Sequence, residues 1–89
     1  MIGEDVSIIV AQVGMSYLVM FNPVIISTKD EYETMEGCLS HNGERKCIRH
    51  KTIKVKYDDF NFKSHTEEFK GLTAQIIEHE VDHLKGILI

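Results

Sequence analysis

The sequence predicts an α+β domain, antiparallel β-strands packed around one C-terminal helix, on two observations. Up to about Lys70 the apolar residues come in β-branched runs or alternate with polar ones, which is the period of a strand. From Gly71 the period changes: Leu72, Ile76, His79 and His83 follow at spacings of four, three and four, along one helical stripe.

The elements follow in order. "VSIIVAQV", Val6 to Val13, and "YLVMFNPVII", Tyr17 to Ile26, flank the turn-prone Gly14 and read as a hairpin or two neighbouring strands. Pro23 has no N–H to give a ladder, so it belongs at an edge, a bend or a strand start. The polar run "STKDEYETME", Ser27 to Glu36, reads as an exposed loop. His41-Asn42-Gly43 is a turn between two short extended pieces, because Asn-Gly readily takes positive φ. "IKVKYDDFNFKSHTEEF", Ile53 to Phe69, reads as strand, Asp58-Asp59 turn, strand. A helix is expected over 71–85, its inward face widened by Ile77, Glu80 and Leu84. Gly86 would end it in the left-handed conformation, and "ILI" would run off as an extended tail.

The 89 residues are read as one domain, 1–89. A single core at this size buries roughly 60% of the surface its unfolded chain exposes, so a bound metal would matter for stability as well as chemistry. A hydrophobic content of 43% and a charged content of 27% are those of an ordinary globular protein. Net charge is -4, which offers no broad cationic face, so no direct contact with nucleic acid is expected. Glu44 to Lys56 carries six Lys or Arg, but its alternation after Lys51 is that of a strand with one wet face. No run approaches the ~20 apolar residues of a membrane span, and no charged-then-apolar leader opens the chain, so a cytoplasmic protein is expected. In that compartment Cys38 and Cys47 are thiols.

The chemistry is concentrated in "EHEVDHLKG", Glu78 to Gly86. His79 and His83, one turn apart on one side of a helix, can converge on a metal ion. Glu80 is displaced about 100° around the helix from His79. Its carboxylate then stands beside the metal, placed to take a proton from a coordinated water whose pKa the metal lowers towards about 7. The competing reading, an amphipathic helix whose histidines happen to lie four apart, is disfavoured by Glu80 and by the apolar neighbours Ile76, Ile77 and Leu84. A tetrahedral metal needs a third protein ligand. His41, His50, His65, Cys38, Cys47 and several carboxylates are candidates. Cys38 stands out in "EGCLS", an extended segment beside a turn, whereas Cys47 in an alternating strand suits a small core residue.

"EGCLS" followed about 40 residues later by "HEVDHLKG" resembles the peptide deformylase family, and the likeness runs through "MFNPVII" and "IRHKTIKVKY". That family of hydrolases removes the N-formyl group from the formylmethionine that begins nascent bacterial and organellar proteins. The resemblance implies that Cys38, His79 and His83 hold one divalent metal ion, Fe2+ in many members, with Zn2+, Ni2+ or Co2+ able to replace it. It implies that Glu80 is the general acid/base, and that the backbone N–H of Leu39 helps hold the oxyanion. Leu72 and Ile76 match positions that line the methionine slot. Arg49 matches an arginine near the site and is expected to pair with Glu36 or Asp82. The implied partners are N-formylmethionyl peptides of nascent chains, at the ribosome, in protein biosynthesis and N-terminal methionine processing.

The sequence departs from the family at one place. A Gly-x-Gly-x-Ala-x-x-Gln stretch, whose glutamine donates to the substrate carbonyl, is missing from these 89 residues, and Met1 stands where the glutamine would be. A rival alignment uses Gln12 of "AQVG", but leaves only nine residues between it and Asn22. The expectation is therefore a deformylase truncated at its N-terminus and reduced in activity. A non-catalytic metal- and peptide-binding relative is the alternative, and a metalloprotease is weakened by the thiolate ligand.

Overall fold

A computed structural model of the protein describes residues 6–37 and 44–84. Four strands, β1 (Ile8–Val13), β2 (Ser16–Gly37), β3 (Glu44–Asp58) and β4 (Ser64–Lys70), precede one helix, α1 (Gly71–Leu84). The sheet is an antiparallel meander in the order β1-β2-β3-β4. Every described strand therefore pairs with its neighbour in sequence, and the helix that follows β4 folds back over one face.

Turn chemistry accounts for the connections. Between β1 and β2 only Gly14 and Met15 intervene, and Gly14 has φ 61° while Met15 is not among the positive-φ residues. That is the type II′ pattern, whose twist suits a hairpin. After β3, Asp59 Oδ1 accepts hydrogen bonds from the backbone N–H of Asn61 (2.7 Å) and Lys63 (3.1 Å), an Asx turn that returns the chain into β4. Pro23 lies where the β2–β3 register shifts between Phe21 and Val24, beside Asn22 at φ 51°. The pairing of β1 with β2 stops at Ile8 and Phe21, so no ladder bond is demanded of the proline.

The polar run Ser27 to Glu36 is not a loop: it is the second half of β2, paired with β3 from Ser27↔Lys54 to Glu36↔Arg45. Its polarity has period two. Tyr32, Thr34 and Glu36 turn towards the helix, while Glu31, Glu33 and Met35 face outward. The inward residues are polar because this end of the sheet faces histidine and glutamine side chains of α1 instead of the apolar core.

The core lies between the sheet and α1: Ile9 and Ala11 of β1, Met20 of β2, Ile53, Val55 and Tyr57 of β3, and Ala74, Ile77 and Val81 of α1. The helix is rotated from the expected orientation. Ala74, Ile77 and Val81 face the sheet with Glu78 beside them, whereas Leu72 is 70% exposed and Leu84 is 41% exposed. Ala74, fully buried, lets helix and sheet approach closely, and Gly71 at φ 63° turns β4 into α1 with no intervening loop. The stripe of Leu72, Ile76 and His79 is thereby left along a cleft at the edge of the interface. β3 alternates as expected, with Cys47 buried and Lys46, Lys54 and Lys56 exposed. No helix among the described residues is long and apolar enough to cross a membrane. Expectations for Met1, Cys38, Leu39, the turn at His41-Asn42-Gly43 and the tail after Leu84 fall outside the described residues.

Candidate active site

At the far end of β2, Glu36 turns inward and is 8% exposed. Four donor groups converge on its carboxylate. Arg49, across the β2–β3 ladder, donates from Nε to Oε2 (2.9 Å) and from Nη2 to Oε1 (2.8 Å), a bidentate fork. Gln75 Nε2 donates to Oε2 at 2.9 Å, and His79 Nδ1 stands 2.7 Å from Oε1. Burial pushes the Glu36 carboxyl up, but the hydrogen bonds from Arg49, His79 and Gln75 reverse that and bring it down to about 2. Glu36 is an anion at any neutral pH.

Arg49, 3% exposed, also donates from Nη1 to Asp82 Oδ2 at 2.8 Å. It was expected to pair with Glu36 or with Asp82; it bonds both, tying β2, β3 and α1 together. Burial pulls the guanidinium down, and the bonds to Glu36 and Asp82 more than restore it, so its charge is permanent.

His79 and His83 stand side by side on α1, with ring centroids 4.4 Å apart at an interplanar angle of 70°. A carboxylate can only accept, so the neutral His79 ring carries its proton on Nδ1, donates it to Glu36, and has its Nε2 lone pair free for a cation. Glu80 Oε1 lies 3.8 Å from His83 Nδ1, and both residues are partly open to solvent. This donor chemistry fits a divalent metal: two imidazoles, one oriented by a buried anion, with a carboxylate alongside. The cavity beside them has a volume of about 280 Å³ and is lined by Glu36, Gly37, Leu72, Gln75, Ile76, His79 and Glu80. Leu72 and Ile76 thus form the apolar side of a slot whose other end is His79 and Glu80. Gly37, the last described residue before Cys38, lies on its rim.

Two of the alternative ligands are committed elsewhere. His50 Nδ1 stands 2.7 Å from Glu78 Oε2, and its backbone N–H donates to Glu78 Oε1 at 2.8 Å. His65 Nε2 stands 2.7 Å from Asp59 Oδ2, at the β3–β4 turn. Cys47 is buried, and burial pushes its thiol up. Among the described residues no three His, Cys, Asp or Glu side chains gather to hold a metal. Sequence reasoning missed Gln75 and Tyr32, whose Oη lies 3.5 Å from Gln75 Oε1. The available signals were the Tyr32-x-Thr34-x-Glu36 alternation and the i, i+4 spacing of Gln75 and His79.

A meander sheet closed by one helix, with paired histidines of which His79 opens with Glu80 on a part-apolar slot, defines a class of single-helix α+β domains built around a candidate metal centre. The chain belongs to the polypeptide deformylase family, whose model matches residues 1–89. It is 49% identical over 89 residues to a peptide deformylase of Clostridium beijerinckii, covering 100% of this chain and 65% of that protein. Its fold is similar to the crystal structure of peptide deformylase from Thermotoga maritima, with TM-score 0.79 and 35% identity, over 91% of this chain and 56% of that one. It is also similar to the Met-Ala-Ser bound class I type b peptide deformylase of Acinetobacter baumannii, with TM-score 0.73 and 38% identity, over 83% of this chain and 48% of that one. The chain thus spans between about half and two thirds of the length of these relatives.

Proposed function

We propose that residues 1–89 act as one peptide deformylase domain, a hydrolase that removes the N-formyl group from formylmethionyl peptides of nascent chains in the cytoplasm. The observation that carries this reading is the joining of His79, through Glu36, to a slot with Leu72 and Ile76 on its wall. Cys38, His79 and His83 would hold one divalent ion, with Fe2+ the favoured species and Zn2+, Ni2+ or Co2+ substitutes. When bound, such an ion supplies Lewis acidity that makes hydroxide available near neutral pH.

The chain's own groups do the rest. Leu72 and Ile76 hold the methionine side chain, and the similar Acinetobacter structure is one with Met-Ala-Ser bound. Glu80, on the slot rim, takes a proton from the attacking water and returns it to the departing amine. The backbone N–H of Leu39 donates to the oxygen that becomes negative as the formyl carbon turns tetrahedral. Glu36, Arg49 and Asp82 keep His79 oriented.

The test is anaerobic hydrolysis of formyl-Met-Ala-Ser by iron- or nickel-loaded protein beside Glu80→Ala. Formate release by the parent, lost in the variant by about 10² or more, is expected. One bound metal per chain with no turnover above the variant would overturn the assignment. Cys38→Ala should sharply weaken metal binding, and unchanged affinity would remove Cys38 from the ligand set.

A further inference from the structure

Glu36 is held by more than the Arg49 fork. Its Oε1 is shared by Arg49 and His79, and its Oε2 by Arg49 and Gln75. Gln75 lies one helical turn before His79 on α1 and lines the slot. It also lines a neighbouring cleft of about 650 Å³, together with Tyr32 and Leu72. The Tyr32 hydroxyl, reaching inward from β2, stands 3.5 Å from the Gln75 carbonyl oxygen. Gln75 and Glu36 therefore border the same slot side by side, with the Gln75 amide bonded to the carboxylate that orients His79.

We propose that Gln75, steadied by Tyr32, is a positioning residue: it fixes the Glu36 carboxylate so that His79 keeps its proton on Nδ1 and its Nε2 lone pair turned to the metal position. The proposal rests on the reading of His79 as a metal ligand. A chain of contacts from Tyr32 through Gln75 and Glu36 to His79 then links the slot wall to the ligand. Removing the Gln75 donor frees an Oε2 lone pair and takes away one of the two bonds on that oxygen, so the carboxylate is held less firmly and the His79 ring loses its single orientation.

The experiment uses nitrogen-resolved NMR of the histidine rings in metal-free protein at pH 9, above the usual histidine range, with Co2+ titrations alongside. The variants are Gln75→Met, of similar length without an amide, and Tyr32→Phe. In the parent His79 should show the Nδ1–H tautomer alone. Gln75→Met should show a mixture of tautomers and bind Co2+ on the order of tenfold more weakly, and Tyr32→Phe should move both readouts the same way by less. His65, whose partner Asp59 lies at the other end of β3, serves as an internal reference and should not change. A parent His79 protonated on Nε2 alone would overturn both this proposal and the ligand reading beneath it. A parent with the Nδ1–H tautomer and a Gln75→Met variant unchanged in tautomer and Co2+ affinity would overturn the role of Gln75 and leave the ligand reading standing.

Discussion

Arg49 bonds two carboxylates with one guanidinium, and its side chain is only 4% exposed. Replacing it with leucine would leave Glu36 charged and buried with only the Gln75 and His79 hydrogen bonds and no cation beside it. Breaking a buried pair in this way costs about 3–5 kcal/mol, so Arg49→Leu should lower the chemical denaturation midpoint sharply, and Asp82, 22% exposed, keeps the loss towards the lower end. A second residue contributes to stability at alkaline pH. Tyr57 is buried, donates to Glu67 and stacks on His65; burial first, and then the Glu67 bond, push its hydroxyl up to about 12. A raised folded value stabilises the protein below pH ~10, the unfolded value, and that contribution is lost as pH rises from there through about 12. Stability should fall across this window, and Tyr57→Phe should flatten the fall in denaturant titrations run at stepped pH. The family resemblance, and not residue types, made the pairing of Arg49 with an acid readable. Residue types could not reveal Gln75, since a glutamine on a helix becomes a carboxylate donor only through a strand more than thirty residues away.

At the level of elements, the strand-to-helix junction carries the sharpest backbone demand. Gly71 has φ 63°, and a Cβ built there meets nothing within 4 Å, so any penalty on substitution comes from the backbone and not from a clash. Gly71→Ala should cost about 1–2 kcal/mol in the thermal or chemical unfolding of the protein, and Gly71→Asn less, because asparagine tolerates the left-handed region. The helix itself was readable because its period changes at Gly71. Its rotation was not, because apolar residues stand on two flanks, and packing against β1 and β3 chose the flank with Ala74. The second half of β2 was misread for a related reason. A strand facing a polar site alternates polar with polar, and the period survives only as Tyr32, Thr34 and Glu36 against Glu31, Glu33 and Met35.

For the molecule as a whole, the α+β class and the order of elements follow from local patterns, since every described strand pairs with the next. The slot was not readable, because it arises where two ends of the chain's path meet: Gly37 closing β2, and Leu72 to Glu80 along α1. The meander also orders assembly. Hairpins close short loops, whereas α1 packs on β1 across most of the sequence, a contact whose loop entropy is the largest. Stopped-flow chevrons should therefore show Val81→Ala chiefly speeding unfolding, and Ile53→Val, within the β2–β3 ladder, chiefly slowing refolding. The docking of α1 that buries Val81 also brings His79 against Glu36. In that case the pocket is the last thing made and the first thing lost, and its residence time sets how long any one molecule stays competent between excursions.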